Sequence, residues 1–506
     1  MPSLADRYRT SGAWRGDTIW QAFAETATRQ PEHIYLVEAE RRLSFSDAVA
    51  DVDRLAAGLA GLGVRGGDVV AFQLPNWIET ALVFLACARL GAVAHPCLPA
   101  FQRRELEFVL GESRARVLLV AGVRDDLPAV EHVIVVRGGD PGAGRSFESL
   151  LLQRDDPPPP ATGSDAVALL MYTSGSTADP KGVRHSHDTL LAEARSLGPV
   201  HGLSSADVTL MPSPLTHISG LIHAVLVPSV FGSTAILMDR WDPHRALELI
   251  TRERVTYMVG APTFLRDLAQ HPDLPHADVS SFRLFSCGGA DVDPSLVREA
   301  AARLGCIAKR VYGSTEFPTI TTTGPDDPAE RRIDSDGRPI GLAEIRLLDD
   351  GEVLARGPEL FLGYQNPSLN AEAFTADGWF RTGDLGDVDA DGYLRITGRK
   401  KDIIIRKGEN ISAREVEELI TTHTSVAEVA VVGVRDAVAG EIACAVLRIR
   451  PGATAPDLAE LCQFLLDAGL SKRKLPERLE TVTDFPRTDS GKILKRAVRD
   501  RLNPGA

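Results

Sequence analysis

Eleven consecutive residues carry the densest chemistry in the chain: Tyr172, Thr173, Ser174, Gly175, Ser176, Thr177, Ala178, Asp179, Pro180, Lys181 and Gly182. They set four small hydroxyls, two glycines and one lysine in a row. Backbone N–H groups and hydroxyls in such a turn wrap polyphosphate oxygens, and the lysine adds positive charge. The stretch is not a Walker loop, which needs glycine directly before the lysine, where Pro180 stands. His185 and His187 follow without a third metal ligand nearby, so they read as structural. Six scattered cysteines (Cys87, Cys97, Cys287, Cys306, Cys444, Cys462) form no C-x-x-C pair, which argues against a zinc site and a disulfide framework. Seven of the nine lysines fall in the last 107 residues, a hint of a basic pocket for an anionic ligand. The whole chain is acidic, at −13, and so repels nucleic acid and anionic membranes at long range.

The elements that must position this loop alternate in type. Ser46 or Asp47 caps a predicted helix over Ala48–Leu62, followed by a strand at Val69–Gln73, a helix at Ile78–Leu90 and a strand at Ala92–Pro96. Such alternation implies a parallel sheet covered by helices. The run Asp155–Pro160 is a stiff connector, and Val167–Tyr172 is a buried strand that leads into the hydroxyl-rich turn. Arg283–Ser286 is another strand, Asp293-Pro294 starts a helix that runs to Leu304, and Ala308–Val311 returns as a strand. After Arg399, Ser412-x-x-Glu415 reads as a capping box, and Val426–Val434 with Ile442–Ile449 as paired strands. The longest apolar stretch, Leu221–Met238, is interrupted by His223, Pro228 and Gly232, and so predicts buried core rather than a membrane span. No signal peptide is legible in MPSLADRYRT, so a cytoplasmic protein is expected.

The loop resembles the signature turn of the adenylate-forming superfamily, which includes acyl-CoA synthetases, luciferases and peptide-synthetase adenylation domains. Four further segments match in the family's order. Tyr312-Gly313-Ser314-Thr315-Glu316 is similar to its second core motif, which implies that Tyr312 stacks on adenine, Thr315 meets the α-phosphate and Glu316 holds Mg²⁺. Trp379–Asp384 resembles the segment whose aspartate, here Asp384, grips the ribose hydroxyls. Tyr393–Asp402 resembles the junction between large and small domains, with Arg399 as a ribose or phosphate contact and Lys401 as the hinge. Pro486–Lys492 resembles the terminal motif, which implies that Lys492 bridges the substrate carboxylate and the α-phosphate. His217 matches a gate between acyl pocket and thiol tunnel. Cys287-Gly288-Gly289-Ala290 resembles the turn beside adenine and the acyl group.

By that resemblance the fold is α/β. A large N-terminal domain (residues 1–398) holds layered parallel and mixed sheets with helices and a β-barrel-like subdomain. A hinge at 399–402 leads to a small mobile α+β domain over 403–506. The implied reaction joins a carboxylic acid to ATP, giving acyl-adenylate and pyrophosphate, and then passes the acyl group to coenzyme A with release of AMP. The loop Lys407-Gly408-Glu409 would face the site in the second step. An acyl pocket drawn from Ile218, Gly220, Ile222, Gly260, Ala261 and Cys287 suits a hydrophobic aliphatic, alicyclic or aryl acid. Only 14 residues follow Lys492, which favours coenzyme A over a fused carrier domain. A separate carrier protein is the alternative acceptor, and the sequence leaves a homodimer open. Two positions depart from the family: Ala178 stands where glycine is usual, and Lys407 where a second glycine precedes Gly408. They motivate an alternative reading, a ligase with weak or lost adenylation that uses a supplied acyl-adenylate.

Overall fold

In the computed structural model, residues 3–138, 144–152, 156–159, 162–173, 180–406, 409–436, 439–487 and 493–503 are described. The chain separates into two compact units, Met1–Glu344 with Arg356–Phe380, and Ile345–Ala355 with Arg381–Ala506.

Near-continuous apolar runs build the first unit's two large sheets, because strands covered by helices on both faces need no polar side. The nine-stranded sheet runs, in spatial order, Arg338–Pro339, Thr321–Thr322, Ile307–Tyr312, Leu284–Gly288, Tyr257–Gly260, Val208–Met211, Thr234–Leu237, Ile34–Glu38, Arg41–Ser44. Its six central strands are parallel and its edges antiparallel. The seven-stranded sheet runs Arg145–Ser146, His132–Val136, Val117–Ala121, Val69–Gln73, Val93–Pro96, Val167–Thr173, Lys181–Ser186. Only its last pair is antiparallel, and that hairpin carries the hydroxyl-rich turn.

Helix Ile78–Leu90 forms where predicted and is buried along nearly its whole length. The predicted Ala48–Leu62 helix is Phe45–Gly61, capped by Ser44, whose side chain accepts the Asp47 N–H. Asp293 caps Pro294–Leu304 as its Asp-Pro start predicts. The apolar stretch Leu221–Met238 is core. A helix from Ile218 widens into a π-turn at Ile222–Leu226, continues over Val227–Phe231, and ends at Gly232 with φ +76° before strand Thr234–Leu237. Pro228 cannot donate to the preceding turn, and the widened turn accommodates that missing bond. Among the described residues no helix is long and apolar enough to cross a membrane.

The second unit holds a four-stranded sheet (Glu344–Leu347, Glu352–Arg356, Phe380–Val388, Leu394–Arg399) and a five-stranded one built on the long hairpin Val426–Asp436 and Gly440–Ile449. The 399–402 segment lies within this unit, as strand end and a 3₁₀ turn at Lys400–Asp402. Ser412 accepts the Glu415 N–H, but the reciprocal half of the predicted capping box is absent. The Glu415 carboxylate instead takes the Lys474 ammonium at 2.6 Å, a charge-assisted pair that outweighs a cap.

Candidate active site

Four neighbouring parallel strands of the nine-stranded sheet deliver the predicted residues to one edge. Val208–Met211 runs into the turn before His217, Tyr257–Gly260 into Ala261, Leu284–Gly288 into Gly289 and Ala290, and Ile307–Tyr312 into Gly313, Ser314, Thr315 and Glu316. Gly260 sits opposite Cys287, and Gly288 opposite Val311, so these turns leave the sheet side by side. The crevice beyond the carboxyl ends of parallel strands is where α/β sheets bind ligands.

Close backbone approach explains the glycines. A Cβ on Gly313 would fall on the Pro318 carbonyl, and one on Gly220 on the Pro214 carbonyl. At Gly288 it would come 2.5 Å from Val311 Cγ1. The Gly313 turn is closed by Ser314 N–H to Phe317 O at 2.9 Å. Ile218, Gly220, Ile222, Gly260 and Cys287 are buried and Ala261 is half-buried, an apolar and small-residue set. Burial pushes the Cys287 thiol up to about 12, so it lines the site as a neutral group. His217 is half-buried and heads the Ile218 helix, with Nδ1 3.0 Å from the Ser219 hydroxyl.

The hairpin after the hydroxyl-rich turn ties the two sheets together. Thr173 and Lys181 are the register partners that flank the turn, while Ser174, Gly175, Ser176 and Thr177 lie outside the described residues. Lys181 Nζ lies 5.3 Å from the Tyr364 ring centre. The Tyr364 hydroxyl donates to Glu316 Oε1 at 2.8 Å, and the Phe361 N–H donates to the Glu316 carbonyl at 2.8 Å. Burial and the neighbouring Glu316 carboxylate raise the phenol's pKa, so it stays a donor. Val183 bridges Tyr364, and Gln365 N–H donates to Gly182 O at 2.7 Å. His185, fully buried and lowered to about 4 by desolvation, places Nε2 2.8 Å from the Thr315 carbonyl. A carbonyl only accepts, so Nε2 carries the proton and Nδ1 faces the Thr189 hydroxyl at 3.1 Å. The strand that follows the turn thus holds both Thr315 and, through Tyr364, Glu316.

Two positioning residues escape a reading of the sequence, Tyr364 and Asn76, while His185, expected to be structural, is a third. Buried Asn76 donates toward the Ser213, Met238 and Met211 carbonyls at 2.9, 3.0 and 3.3 Å, and its Oδ1 accepts the Leu215 N–H at 2.7 Å. It thereby fixes the turn that leads to His217. Polar Asn76 beside the apolar Ile78–Leu90 run is the one local signal of this role.

In the second unit Asp384 and Arg399 are register partners across an antiparallel pair, with Arg399 Nε 3.0 Å from Asp384 Oδ1. Asp384 is 7 % exposed, so its charge is shielded from water and paired. Lys401 is exposed in the 3₁₀ turn; its neighbour Lys400 is held by Asp350 at 2.7 Å and Glu352 at 3.0 Å. Lys407 and Gly408 lie outside the described residues, as does Lys492, and Glu409 opens strand Glu409–Ser412. The residues flanking Lys492 are anchored: Arg487 bridges Ile493 and donates to both Glu428 oxygens at 2.7 Å.

Residues 23–365 match the family described as AMP-binding enzyme, and residues 415–492 the AMP-binding enzyme C-terminal domain. A medium-chain fatty-acid–CoA ligase of Escherichia coli K12 is 34 % identical, over 97 % of this chain and 92 % of its own. The 2-hydroxy-7-methoxy-5-methyl-1-naphthoate–CoA ligase of Streptomyces carzinostaticus is 34 % identical over 98 % and 95 %. ATP-bound MatB from Rhodopseudomonas palustris superposes with a TM-score of 0.87 at 28 % identity, over 96 % of this chain and 99 % of that one.

Proposed function

The chain belongs to the adenylate-forming superfamily as an AMP-binding enzyme, an AMP-forming acid–thiol ligase, and from that premise we propose that it converts a hydrophobic aliphatic, alicyclic or aryl acid into its coenzyme A thioester. The observation that carries this reading is the shared edge of four parallel strands, which sets an apolar, small-residue lining (Gly260, Ala261, Cys287, Ile218, Ile222) beside the Tyr312–Glu316 turn. Relatives named as CoA ligases for a medium-chain fatty acid and for a naphthoate support both the thiol and the apolar acid.

In the first step a carboxylate oxygen of the acid attacks the α-phosphorus of ATP, and pyrophosphate leaves. Thr173, Ser174, Gly175, Ser176, Thr177 and Lys181 cradle the phosphates, and Tyr312 with Gly288, Gly289 and Ala290 frames adenine. Asp384 and Arg399 serve the ribose, and Thr315 orients the α-phosphate. Glu316 is a hard oxygen donor of the kind Mg²⁺ takes, and its orientation by Tyr364 fits that role. Mg²⁺ there would neutralise phosphate charge. Lys492 would supply the positive charge that offsets the two approaching anions. In the second step the thiol sulfur attacks the acyl carbonyl and AMP leaves; His217 admits the thiol, and the Lys407–Glu409 loop serves this half-reaction after rotation about Lys401. Domains split at 399–402, a cytoplasmic setting, and coenzyme A in preference to a carrier protein complete the proposal.

A library of carboxylic acids incubated with ATP, Mg²⁺ and coenzyme A tests this by loss of free thiol and matching AMP. Apolar acids should react, with one AMP formed per thiol consumed; silence across the library overturns the reading. Ala178, which lies outside the described residues, supports a second reading, in which adenylation is impaired: where the family's glycine takes a positive φ, alanine would cost about 1 kcal/mol. Robust pyrophosphate release with a matched acid would eliminate it.

A further inference from the structure

Away from the active site, the first unit gathers a different donor set on its surface. One ligand atom each from His244, His271 and Asp273 lie within 4.8 Å of one another. His244 Nδ1 is 3.2 Å from Asp273 Oδ2, and His271 Nδ1 is 3.9 Å from the same oxygen. Donor atoms around a tetrahedral ion with bonds of about 2.0–2.1 Å stand roughly 3.3 Å apart, so small side-chain rotations close the set. His271 Nδ1 accepts the Asp273 N–H at 3.2 Å, and an ion on that nitrogen would take the place of this bond.

Glu248 separates this cluster from a chance meeting of charges. It lies one helical turn after His244, with Oε1 3.4 Å from His244 Nε2. With Nδ1 on an ion, Nε2 must carry the ring proton, and a small rotation brings Glu248 Oε1 into reach to accept it, while Arg245 donates to Oε2 at 2.8 Å. Carboxylates behind a ligating imidazole fix its tautomer and orientation in this way. The scaffold is also held on both sides. Asp242 caps helix Pro243–Glu253 by accepting the His244 and Arg245 N–H groups at 2.9 and 3.1 Å. Trp241 donates to Asp267 at 2.8 Å and packs on Phe264 with ring centres 4.5 Å apart, which locks that helix against Pro262–Ala269. His244 and Asp273 are exposed, so an ion reaches them from solvent.

We propose that His244, His271 and Asp273, backed by Glu248, form a binding site for a divalent transition-metal ion of the zinc type, which braces the loop after Pro262–Ala269 against the start of Pro243–Glu253. Two imidazoles with one carboxylate favour zinc, cobalt, nickel or copper over magnesium and calcium. The test titrates Co²⁺ into the full chain, free of nucleotide and in a non-chelating buffer near neutral pH. A Cys462→Ser background removes the half-buried thiol as a competing ligand. One equivalent should give a visible ligand-field spectrum, and Zn²⁺ should displace it and raise the melting temperature. His271→Ala and Asp273→Ala should each weaken Co²⁺ binding by more than about tenfold, and Glu248→Gln by about tenfold, while acyl-CoA formation stays unchanged. Absence of a saturable spectrum, or a spectrum that survives His244→Ala and His271→Ala, would leave only an exposed charge cluster and overturn the proposal.

Discussion

At the scale of single residues, the barrier to adenylation is electrostatic, because two anions must meet. A group that stabilises charge where it develops contributes the largest common catalytic term, on the order of 3–4 kcal/mol or 10²–10³ in rate. Lys492→Ala should therefore cut pyrophosphate release by about that factor while thioester formation from a supplied acyl-adenylate continues; equal loss in both half-reactions would refute the assignment. Tyr364 acts one step back. Its hydroxyl donates to Glu316 at 2.8 Å, and hydrogen bonds to charged groups contribute about 1.5–3 kcal/mol. Tyr364→Phe should raise the Mg²⁺ concentration needed for half-maximal AMP formation roughly tenfold at saturating ATP, with little change in the KM for the acid. The sequence singles out Lys492 and Glu316 because each sits inside a contiguous motif. Tyr364 is not, because its partner is 48 residues away and nothing local announces the pairing.

At the scale of elements, local rules dictate structure best where a run is long and buried. Helix Ile78–Leu90 and the Asp-Pro start of Pro294–Leu304 follow from apolar continuity and capping chemistry alone. The helix that Ser412 predicts does start at Ala413, but its capping box is only half formed, because a tertiary partner, Lys474, takes the Glu415 carboxylate. The turn that carries His217 shows why much of a site stays hidden in sequence, since its shape depends on Asn76, 139 residues from Leu215. An amide both donates and accepts there, whereas a carboxylate of the same shape cannot donate. Asn76→Asp would point an anion at three carbonyl oxygens and take this donor from those of Ser213 and Met238, while the Met211 carbonyl keeps the Met238 N–H; each buried group that loses its partner costs about 1–3 kcal/mol. The expected outcome is a midpoint shift in chemical denaturation equivalent to about 3 kcal/mol or more, and a raised KM for the acid in whatever enzyme remains folded. Unchanged values of both would mean that the turn holds its shape without the amide.

At the scale of the whole molecule, parallel order brings distant segments to one edge of a sheet, and the core behind that edge carries polar groups with a pH signature. Glu193 and Glu359 are both buried, and each holds one oxygen without a partner among the described residues. Glu193 accepts the Thr319 N–H at 3.3 Å, and Ser196 donates to Glu359 at 2.7 Å. Burial, reinforced by the like charge of Glu359, raises Glu193 to about 8, and burial raises Glu359 to about 7. Both folded values lie above the ordinary carboxyl value of 4.5, so the neutral acids contribute stability that is complete below 4.5 and is lost as pH climbs through the folded values. The buried histidines pull the other way below their ordinary value of 6.5, and Lys309, lowered to about 7 by burial, does so above neutrality. A difference measurement cancels them. Glu193→Gln keeps the shape and mimics the neutral acid, so its melting temperature relative to the parent should be flat below pH 4.5, rise between 4.5 and about 8, and level off beyond. Thermal unfolding of the two proteins in parallel across that range decides the matter: a gap that stays constant from pH 5 to about 8 would mean that Glu193 is already ionised in the folded core.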